Sequence, residues 1–454
     1  MKLVVVTSRC PISHERTAGR ESVRKNIGGV ATALHQALKH QGGSWICWGD
    51  GNADRDYPVE DYEGYRIVRV FLDRTEKRGF YDEYSNGTLW PLFHYFRERI
   101  RYTEGSFEQY AEVNQKFAHA ILQYSGGESV VWIHDYQLTL VPGMLRRDRF
   151  TGFIIFTWHI PWVSAEFFNI LPEAKDIASS LLQSNMITFH TELYRKNFRE
   201  SCERVASPEI SVDDMTFAFS LGIDYNYYSE SASIQQPWPT APGRKIIFSI
   251  DRLDYTKGLI NRLLAVERYL KLAPQSRGKF HYIMIVTPSR SSVFEYQKMR
   301  RDIEMEVGRI NGLLGDVNWQ PVIYMYRKIP DRVLISYYRN ADVALITPVM
   351  DGLNLVSKEF VAASRNGVLI LSEFAGSAFN LPQAILVNPN DINAMAHALD
   401  RALSMDPVEA ARRLKAMKAS VKRRDITWWI GAIQKKAEYL MQAGNVDDFS
   451  NRSS

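Results

Sequence analysis

The sequence predicts an α/β protein of two doubly wound domains, each built on a mainly parallel sheet. Short apolar runs alternate with amphipathic helical stretches in two separate series, the pattern of buried parallel strands joined by crossover helices. The length of 454 residues exceeds what one hydrophobic core usually serves. An irregular stretch with three prolines, residues 231–243, separates the two series and fits an interdomain connection. We therefore expect two domains that face a cleft, with ligands at the carboxyl ends of both sheets.

The apolar runs give the predicted strands and domain limits. The first series comprises Leu3 to Thr7, Val130 to Ile133, Phe153 to Thr157 and Met186 to Phe189. The second comprises Lys245 to Ile250, Tyr282 to Val286, Val322 to Tyr326, Val343 to Ile346, Gly367 to Leu371 and Ile385 to Val387. We assign residues 1–230 to the first domain and 231–425 to the second. Residues 426–454 are predicted to be helical and to pack back towards the first domain.

Composition excludes several classes of protein. The balance of 45% hydrophobic and 24% charged residues is that of a globular chain. The net charge of +5 is spread without a long basic block, which argues against nucleic-acid binding. The small basic excess fits phosphate ligands or, equally, a solvated surface. No apolar run approaches the roughly 20 residues that cross a bilayer, and the opening run is too short for a signal peptide.

Cysteine content bears on the compartment. Cys10, Cys47 and Cys202 are an odd number with no pair close in sequence. We therefore predict neither a disulfide framework nor a zinc site, and a reducing, cytoplasmic environment. The oligomeric state is left open, a homo-oligomer included.

The first predicted strand leads into a candidate phosphate-binding turn. It ends at Ser8-Arg9, and a polar loop then reaches Gly28-Gly29 and a helix marked by Leu34 and Leu38. Glycines at a helix start allow a diphosphate to approach the partly positive backbone amides. A plain turn is the alternative interpretation of the glycine pair.

A second strand-to-helix turn carries two cations. Arg252 and Lys257 are five residues apart in the stretch that follows the strand starting at Lys245. Arginine can fork onto two phosphate oxygens and lysine adds a point charge, so together they suit a departing diphosphate. Surface solvation is the alternative.

Two carboxylates follow the strand Val343 to Ile346. Asp351 and Glu359 are eight residues apart. This spacing allows Asp351 to meet a sugar hydroxyl while Glu359, on the following helix, meets the ribose diol of a nucleotide. The spacing alone does not decide between this role and a structural one.

Together these three sequence blocks indicate a known protein family. The chain resembles the trehalose-6-phosphate synthases, glycosyltransferases of the two-domain GT-B class, along nearly its whole length. The motifs that carry the resemblance are GFYDEYSNGTLWPLFHY (79–95), WIHDYQL (132–138), HIP (159–161), RLDYTKG (252–258), GRING (308–312), DGLNLVSKE (351–359) and GVLILSEFAG (367–376).

The resemblance implies roles for individual residues. On the donor side, the diphosphate contacts would come from Gly29, Arg252, Lys257 and the backbone amides of Leu355 and Val356. Glu359 would bind the ribose, and His159 and Asp351 the transferred glucose. On the acceptor side, Arg9 and Arg290 would bind the phosphate of glucose 6-phosphate, with Tyr81, Trp90 and Asp135 around its ring.

The resemblance also implies a mechanism. It is a retaining, metal-independent transfer from a nucleoside diphosphate glucose, with UDP-glucose the expected donor, and no cofactor. Asp54-Arg55-Asp56 matches the two-acid pattern of metal-dependent transferases, but no predicted strand leads into it. A synthase using glycerol phosphate or a cyclitol phosphate, and a catalytically silent sugar-phosphate-binding regulator, are the alternatives.

Several positions depart from the usual family pattern and leave the acceptor more open than the donor. They are the long Arg9 to Gly28 loop, Gln137 in place of His, Trp162-Val163-Ser164 in place of a Phe-Pro stretch, Met350 in place of Arg, and Ile329-Pro330-Asp331.

Overall fold

The computed structural model describes residues 2–26, 28–126, 128–206, 211–231, 243–289 and 294–443. The chain forms two compact units. One comprises Met1–Leu221 with the chain from Trp429 onward, and the other comprises Gly222–Trp428. Within the described ranges, no helix has both the length and the apolar content needed to cross a bilayer.

The first unit is built on an eight-stranded sheet. Its order is β10-β9-β8-β7-β1-β4-β6-β5, and all neighbouring pairs are parallel except β5 with β6. All four strands predicted for it are present, as β1, β7, β8 and β9. The strands are β1 (Leu3–Thr7), β4 (Ser44–Trp48), β5 (Val59–Tyr62), β6 (Tyr65–Val70), β7 (Val130–His134), β8 (Phe153–Thr157), β9 (Met186–Phe189) and β10 (Thr216–Ala218).

Helices cover this sheet and join its strands. They are α1 (Gly29–Gln41), α2 (Arg74–Glu76), α3 (Trp90–Phe93), α4 (Ser106–Tyr124), α5 (Val141–Arg147), α6 (Ala165–Phe168), α7 (Ala174–Leu181), α8 (Glu192–Val205) and α9 (Val212–Met215). A π-helix, Lys77–Leu89, lies between α2 and α3. Such wide helices are rare and occur often at functional sites.

The segment after β1 is a hairpin rather than the expected polar loop. Strands β2 (Ile12–Thr17) and β3 (Arg20–Lys25) pair antiparallel from Ile12 with Lys25 to Thr17 with Arg20. Its turn contains Gly19 at φ 75°, a left-handed conformation that favours glycine. The base of the hairpin is fixed because His14 N–H donates to Asp54 at 2.7 Å and the His14 ring stacks on Tyr57.

The prediction that no cysteines pair is wrong. Cys10 and Cys47 form a disulfide, while Cys202 is a free, buried thiol. Cys47 belongs to β4, a strand absent from the predicted set, which pairs with β1. Residues 37 apart in sequence are therefore brought together by parallel pairing. The argument for a reducing compartment loses its basis, and the cytoplasmic location stays a prediction.

The second unit is built on a six-stranded parallel sheet of order β13-β12-β11-β14-β15-β16. Each of the six runs predicted for it forms a strand. They are β11 (Lys245–Arg252), β12 (Phe280–Thr287), β13 (Val322–Tyr326), β14 (Val343–Ile346), β15 (Val368–Ser372) and β16 (Ile385–Val387).

Helices lie on both faces of this second sheet and bury two separate hydrophobic clusters. Those of the second unit are α10 (Tyr225–Glu230), α11 (Leu259–Leu272), α12 (Phe294–Leu314), α13 (Asp331–Asn340), α14 (Leu355–Ala363), α15 (Ile392–Leu403) and α16 (Pro407–Arg423). The last helix, α17 (Ile426–Gln442), begins in the second unit and continues in the first. Its Trp429 is fully buried against Trp132 and donates to Phe219 O at 3.1 Å.

Candidate active site

The two cations of the second unit lie where β11 ends. Arg252 is the last residue of the strand and is exposed, whereas Lys257 ends a tight turn, Tyr255–Lys257, and is largely buried. Gly258 follows at φ 64°, and a Cβ there would lie 2.5 Å from Thr347 O. Only glycine fits this position, so the turn that presents Lys257 depends on it.

Lys257 and Asp351 form an ion pair. Lys257 Nζ lies 2.6 Å from Asp351 Oδ2, and the side chains of both are largely buried. Burial opposes ionisation of Asp351, but Lys257, the Leu353 N–H and the Asn354 amide together lower its pKa below the usual value. The pair is a charged hydrogen-bonding group at the carboxyl end of the sheet.

Helix α14 starts immediately after this pair. Asn354, at φ 67°, caps it by accepting from Ser357 N–H at 3.0 Å. Leu355 and Val356 are its first two residues, so the helix offers no acceptor to their amides. This helix start can therefore receive an anion.

Glu359 lies one turn further along α14. Its Oε2 accepts from the Tyr338 hydroxyl at 2.9 Å, and its carboxylate also bonds to the Tyr228 hydroxyl. Burial raises the pKa of Glu359 and the two phenols oppose that rise.

Arg262 is a residue that the sequence analysis missed. It is fully buried in α11 and donates to Asp251 at 2.6 Å, to Lys257 O at 2.9 Å and to Thr347 Oγ1 at 3.3 Å. Asp251 precedes Arg252, so one arginine holds the chain beside both donor-side cations. The available signal in the sequence is a charged residue, Arg262, directly before Leu263 in an otherwise largely apolar part of α11.

In the first unit, Arg9 follows β1 and meets Asp50 and Tyr81. Its Nη1 pairs with the Asp50 carboxylate and its Nη2 donates to Tyr81 Oη at 2.7 Å. The guanidinium also lies over the rings of Trp48 and Tyr81, at 5.4 and 4.8 Å from their centroids. Because Arg9 is about half exposed, it can receive a phosphate from solvent.

The other predicted acceptor residues are linked to Tyr81 through the π-helix. Asn86 donates to Tyr81 O at 2.7 Å and accepts from Tyr136 Oη at 3.1 Å. Asp135, at φ 73°, precedes Tyr136 and accepts from its N–H. Trp90 contacts Tyr136 but is buried, 6% exposed, so little of its surface is open to a ligand.

Three histidines form a line across neighbouring strand ends. His134 ends β7, His159 follows β8 and His190 follows β9. His134 Nδ1 lies 3.0 Å from His159 Nε2, and His159 Nδ1 lies 3.0 Å from His190 Nε2. Burial lowers the pKa of His134 to about 3 and that of His159 well below its usual value. Both ring nitrogens of His159 are thus engaged, and its lowered pKa favours the neutral imidazole.

Comparison with known proteins identifies the family. The family model described as glycosyltransferase family 20 matches residues 1–439. The chain belongs to glycosyltransferase family 20.

Members of the family and their structures are similar over most of this chain. A bifunctional trehalose-6-phosphate synthase/phosphatase of Thermoproteus tenax is 39% identical over 94% of the chain, which spans 62% of that relative. A UDP-forming α,α-trehalose-phosphate synthase from Burkholderia xenovorans, solved with glucose-6-phosphate, is 30% identical with a TM-score of 0.87, covering 96% of this chain and 100% of its own. An E. coli protein solved with UDP-2-fluoro glucose is 32% identical with a TM-score of 0.86, covering 96% and 99%. These findings confirm the predicted family and the GT-B fold class.

Two departures from the family 20 pattern lie in the interior. Trp162 is fully buried among aromatic rings and donates to Ser201 Oγ at 3.0 Å. Gln137 is buried too, and its backbone carbonyl accepts from the Asn114 side-chain amide at 3.1 Å. Trp162 is therefore part of the core packing and gives no reason to question the acceptor.

Three further positions of this family 20 chain are two predicted ligands, Gly29 and Arg290, and Asp54 of the two-acid pattern. Gly29 is the first residue of α1, with Gly28 as its cap. Arg290 lies outside the described residues. Asp54 is buried and accepts from the N–H groups of His14 and Gly51, at 2.7 and 2.8 Å, so it fixes a turn. Among the residues that the structure describes, no group of three or more His, Cys, Asp or Glu could hold a metal ion.

Proposed function

We propose that this protein transfers glucose from UDP-glucose to glucose 6-phosphate, with retention and without a metal ion, to give trehalose 6-phosphate. The observation that carries the proposal is the Lys257–Asp351 ion pair, set beside Arg252 and the start of α14. It combines cations for a diphosphate with a carboxylate for a sugar hydroxyl at one sheet end. Membership of family 20 supports the same reaction.

The chemical step is dominated by the leaving group. The bond between glucose C1 and the diphosphate oxygen breaks, and negative charge grows on that oxygen. Lys257, Arg252 and the first amides of α14 stabilise this charge, which is the usual role of preorganised cations and dipoles. They supply the positive charge that a divalent metal supplies elsewhere.

Proton transfer does not need a protein base in this scheme. The acceptor hydroxyl attacks C1 from the face that the diphosphate leaves, and its proton passes to the departing phosphate oxygen. Asp351 accepts a hydrogen bond from a glucose hydroxyl and thereby positions the ring. A double-displacement route would need a carboxylate nucleophile under the sugar, whereas Asp351 is already tied to Lys257.

The acceptor phosphate is assigned to Arg9. Its forked donors suit phosphate oxygens, and they are held by Asp50 and Tyr81. Tyr81 and Asp135 provide hydroxyl and carboxylate groups for the sugar ring. Arg290 remains a predicted second phosphate ligand.

A donor and acceptor panel tests the proposal. The protein is incubated with UDP-, ADP- or GDP-glucose and with glucose 6-phosphate, glycerol phosphate, a cyclitol phosphate or glucose, and products are identified by mass and by anomeric NMR. We expect α,α-trehalose 6-phosphate from UDP-glucose, undiminished by excess EDTA. A product from another phosphate acceptor alone would replace the proposed acceptor. Binding of both substrates without any product would favour the silent regulator, and rescue of an EDTA-treated protein by magnesium would overturn metal independence.

A further inference from the structure

Two tyrosines hold the Glu359 carboxylate, which is assigned to the ribose. The sequence analysis gives neither tyrosine a role. Tyr338 is on α13, Tyr228 on α10 and Glu359 on α14, and both α10 and α13 pack against α14. The two phenols thus reach one carboxylate from two other helices.

We propose that Tyr338 and Tyr228 are positioning residues that orient Glu359 for the 2′,3′-diol of the donor nucleotide. The inference rests on the proposed function, because it assumes a ribonucleotide donor at Glu359. It adds the residues that determine how strongly this site selects ribose over deoxyribose.

The geometry fixes one phenol firmly. Tyr338 is fully buried and its hydroxyl donates to Glu359 Oε2 at 2.9 Å. Its ring lies edge-on to Phe248 and Phe360, with interplanar angles of 85° and 80°. A side chain packed in this way cannot swing away, so the carboxylate orientation follows from the core of the second unit.

Hydrogen-bond capacity points to a diol. A carboxylate has about four acceptor positions, and two phenols occupy about two of them. The remaining positions match two adjacent hydroxyl groups. Glu359 is only partly buried, so these positions can meet a ligand.

The charge of Glu359 is a second reason to assign the two phenols a positioning role. Burial raises the pKa of Glu359, and nearby Asp331 adds to the rise. The two phenols are the groups that oppose it. Their hydrogen bonds therefore favour the ionised carboxylate, which is the form that offers acceptors to a diol.

The test compares binding of UDP and 2′-deoxy-UDP by calorimetry, so that it does not depend on turnover. The variants are Tyr338→Phe, Tyr228→Phe and Glu359→Gln. Tyr225→Phe is the matched control, since Tyr225 belongs to the same helix as Tyr228 and burial alone shifts the pKa of its hydroxyl. Melting temperatures show whether each variant remains folded.

We expect the wild-type protein to prefer UDP over 2′-deoxy-UDP by about 10- to 100-fold, the usual effect of losing one hydrogen bond to a charged acceptor. Tyr338→Phe and Tyr228→Phe should each lower this preference about 5-fold or more, mainly by weakening UDP. Tyr225→Phe should leave this preference unchanged.

The outcomes separate the inference from the function on which it rests. If Glu359→Gln lowers the preference but neither phenylalanine variant does, the tyrosines are structural and the inference is wrong. If Glu359→Gln also leaves it unchanged, Glu359 is not the ribose ligand. If wild-type protein fails to bind UDP, the proposed donor is wrong. Should Tyr338→Phe unfold, Tyr228→Phe decides alone.

Discussion

At the scale of single residues, Lys257 is assigned two binding partners. Its ammonium pairs with Asp351 at 2.6 Å, and in the proposed reaction it must also meet the departing diphosphate. An ammonium has three donors, so it can contact both. Asp351 thereby keeps Lys257 aimed at the sheet end where the diphosphate is proposed to bind.

Lys257→Ala should affect turnover more than donor binding. The charge on the leaving oxygen is largest in the transition state, so we expect kcat to fall by about two to three decades, with a smaller rise in donor KM. Steady-state kinetics with saturating acceptor measure both. Lys279→Ala is the control, because Lys279 is exposed next to the amino end of β12. Unchanged turnover in Lys257→Ala would remove this residue from the site.

At the scale of elements, the histidine line follows from strand register. Strands β7, β8 and β9 are parallel neighbours, and each is followed or ended by one histidine. Their carboxyl ends therefore place the three rings side by side. A buried cation there would face two more imidazoles, so the line favours neutral rings.

This arrangement makes stability depend on pH. Folding lowers the pKa of His134 from 6.5 to about 3, with burial the main cause and His190 the second. A depressed histidine pKa contributes stability above pH 6.5 that is lost as the pH falls towards 3. From pH 7 to 5, His134 alone should cost about 2 kcal/mol.

Melting temperatures of the wild type and His134→Asn at pH 7 and 5 measure this effect. We expect the wild type to lose more stability between the two pH values than the variant does. A parallel loss in both proteins would show that His134 does not titrate in this range on unfolding.

The Cys10–Cys47 disulfide joins β4 to the segment that follows β1, next to Arg9. In denaturant we expect one reactive thiol per chain, that of Cys202, and three after reduction.

The double variant Cys10→Ala/Cys47→Ala should have a lower melting temperature than the wild type, since closing a loop of this length contributes about 3 to 4 kcal/mol on the chain-entropy model. Three thiols without prior reduction would contradict the pairing.

The sequence predicted best those strands that are buried on both faces. β8, with the sequence FIIFT, is a continuous apolar run, and such runs are visible without tertiary information. The hairpin strand β3 is fully exposed and reads RESVRK, so no hydrophobic pattern marks it. The partners of the hairpin, including Asp54 and Tyr57, come from later in the chain, and this pairing has no local signal.

At the scale of the whole molecule, predictable site residues were those in motifs with distinctive chemistry. Arg252 and Lys257 stand out because two cations follow a strand. Tyr228, Tyr338 and Arg262 look like ordinary helix residues, and their roles depend on which helices pack together. Contacts of this kind are set by tertiary structure, so sequence patterns of one segment could not reveal them.

The two substrates are assigned to different units, and this separation can be tested in one experiment. Arg9 belongs to the first unit and Glu359 to the second. Arg9→Ala should raise the KM for glucose 6-phosphate about 30-fold or more, the cost of a charge-assisted contact, and leave the donor KM nearly unchanged. Glu359→Gln should raise the donor KM and leave the KM for glucose 6-phosphate nearly unchanged.

Plain glucose should be a poor acceptor for the wild type, and Arg9→Ala should discriminate less between glucose and its phosphate. If Arg9→Ala preserves that discrimination, Arg9 does not bind the phosphate, and Arg290 or another cation must do so.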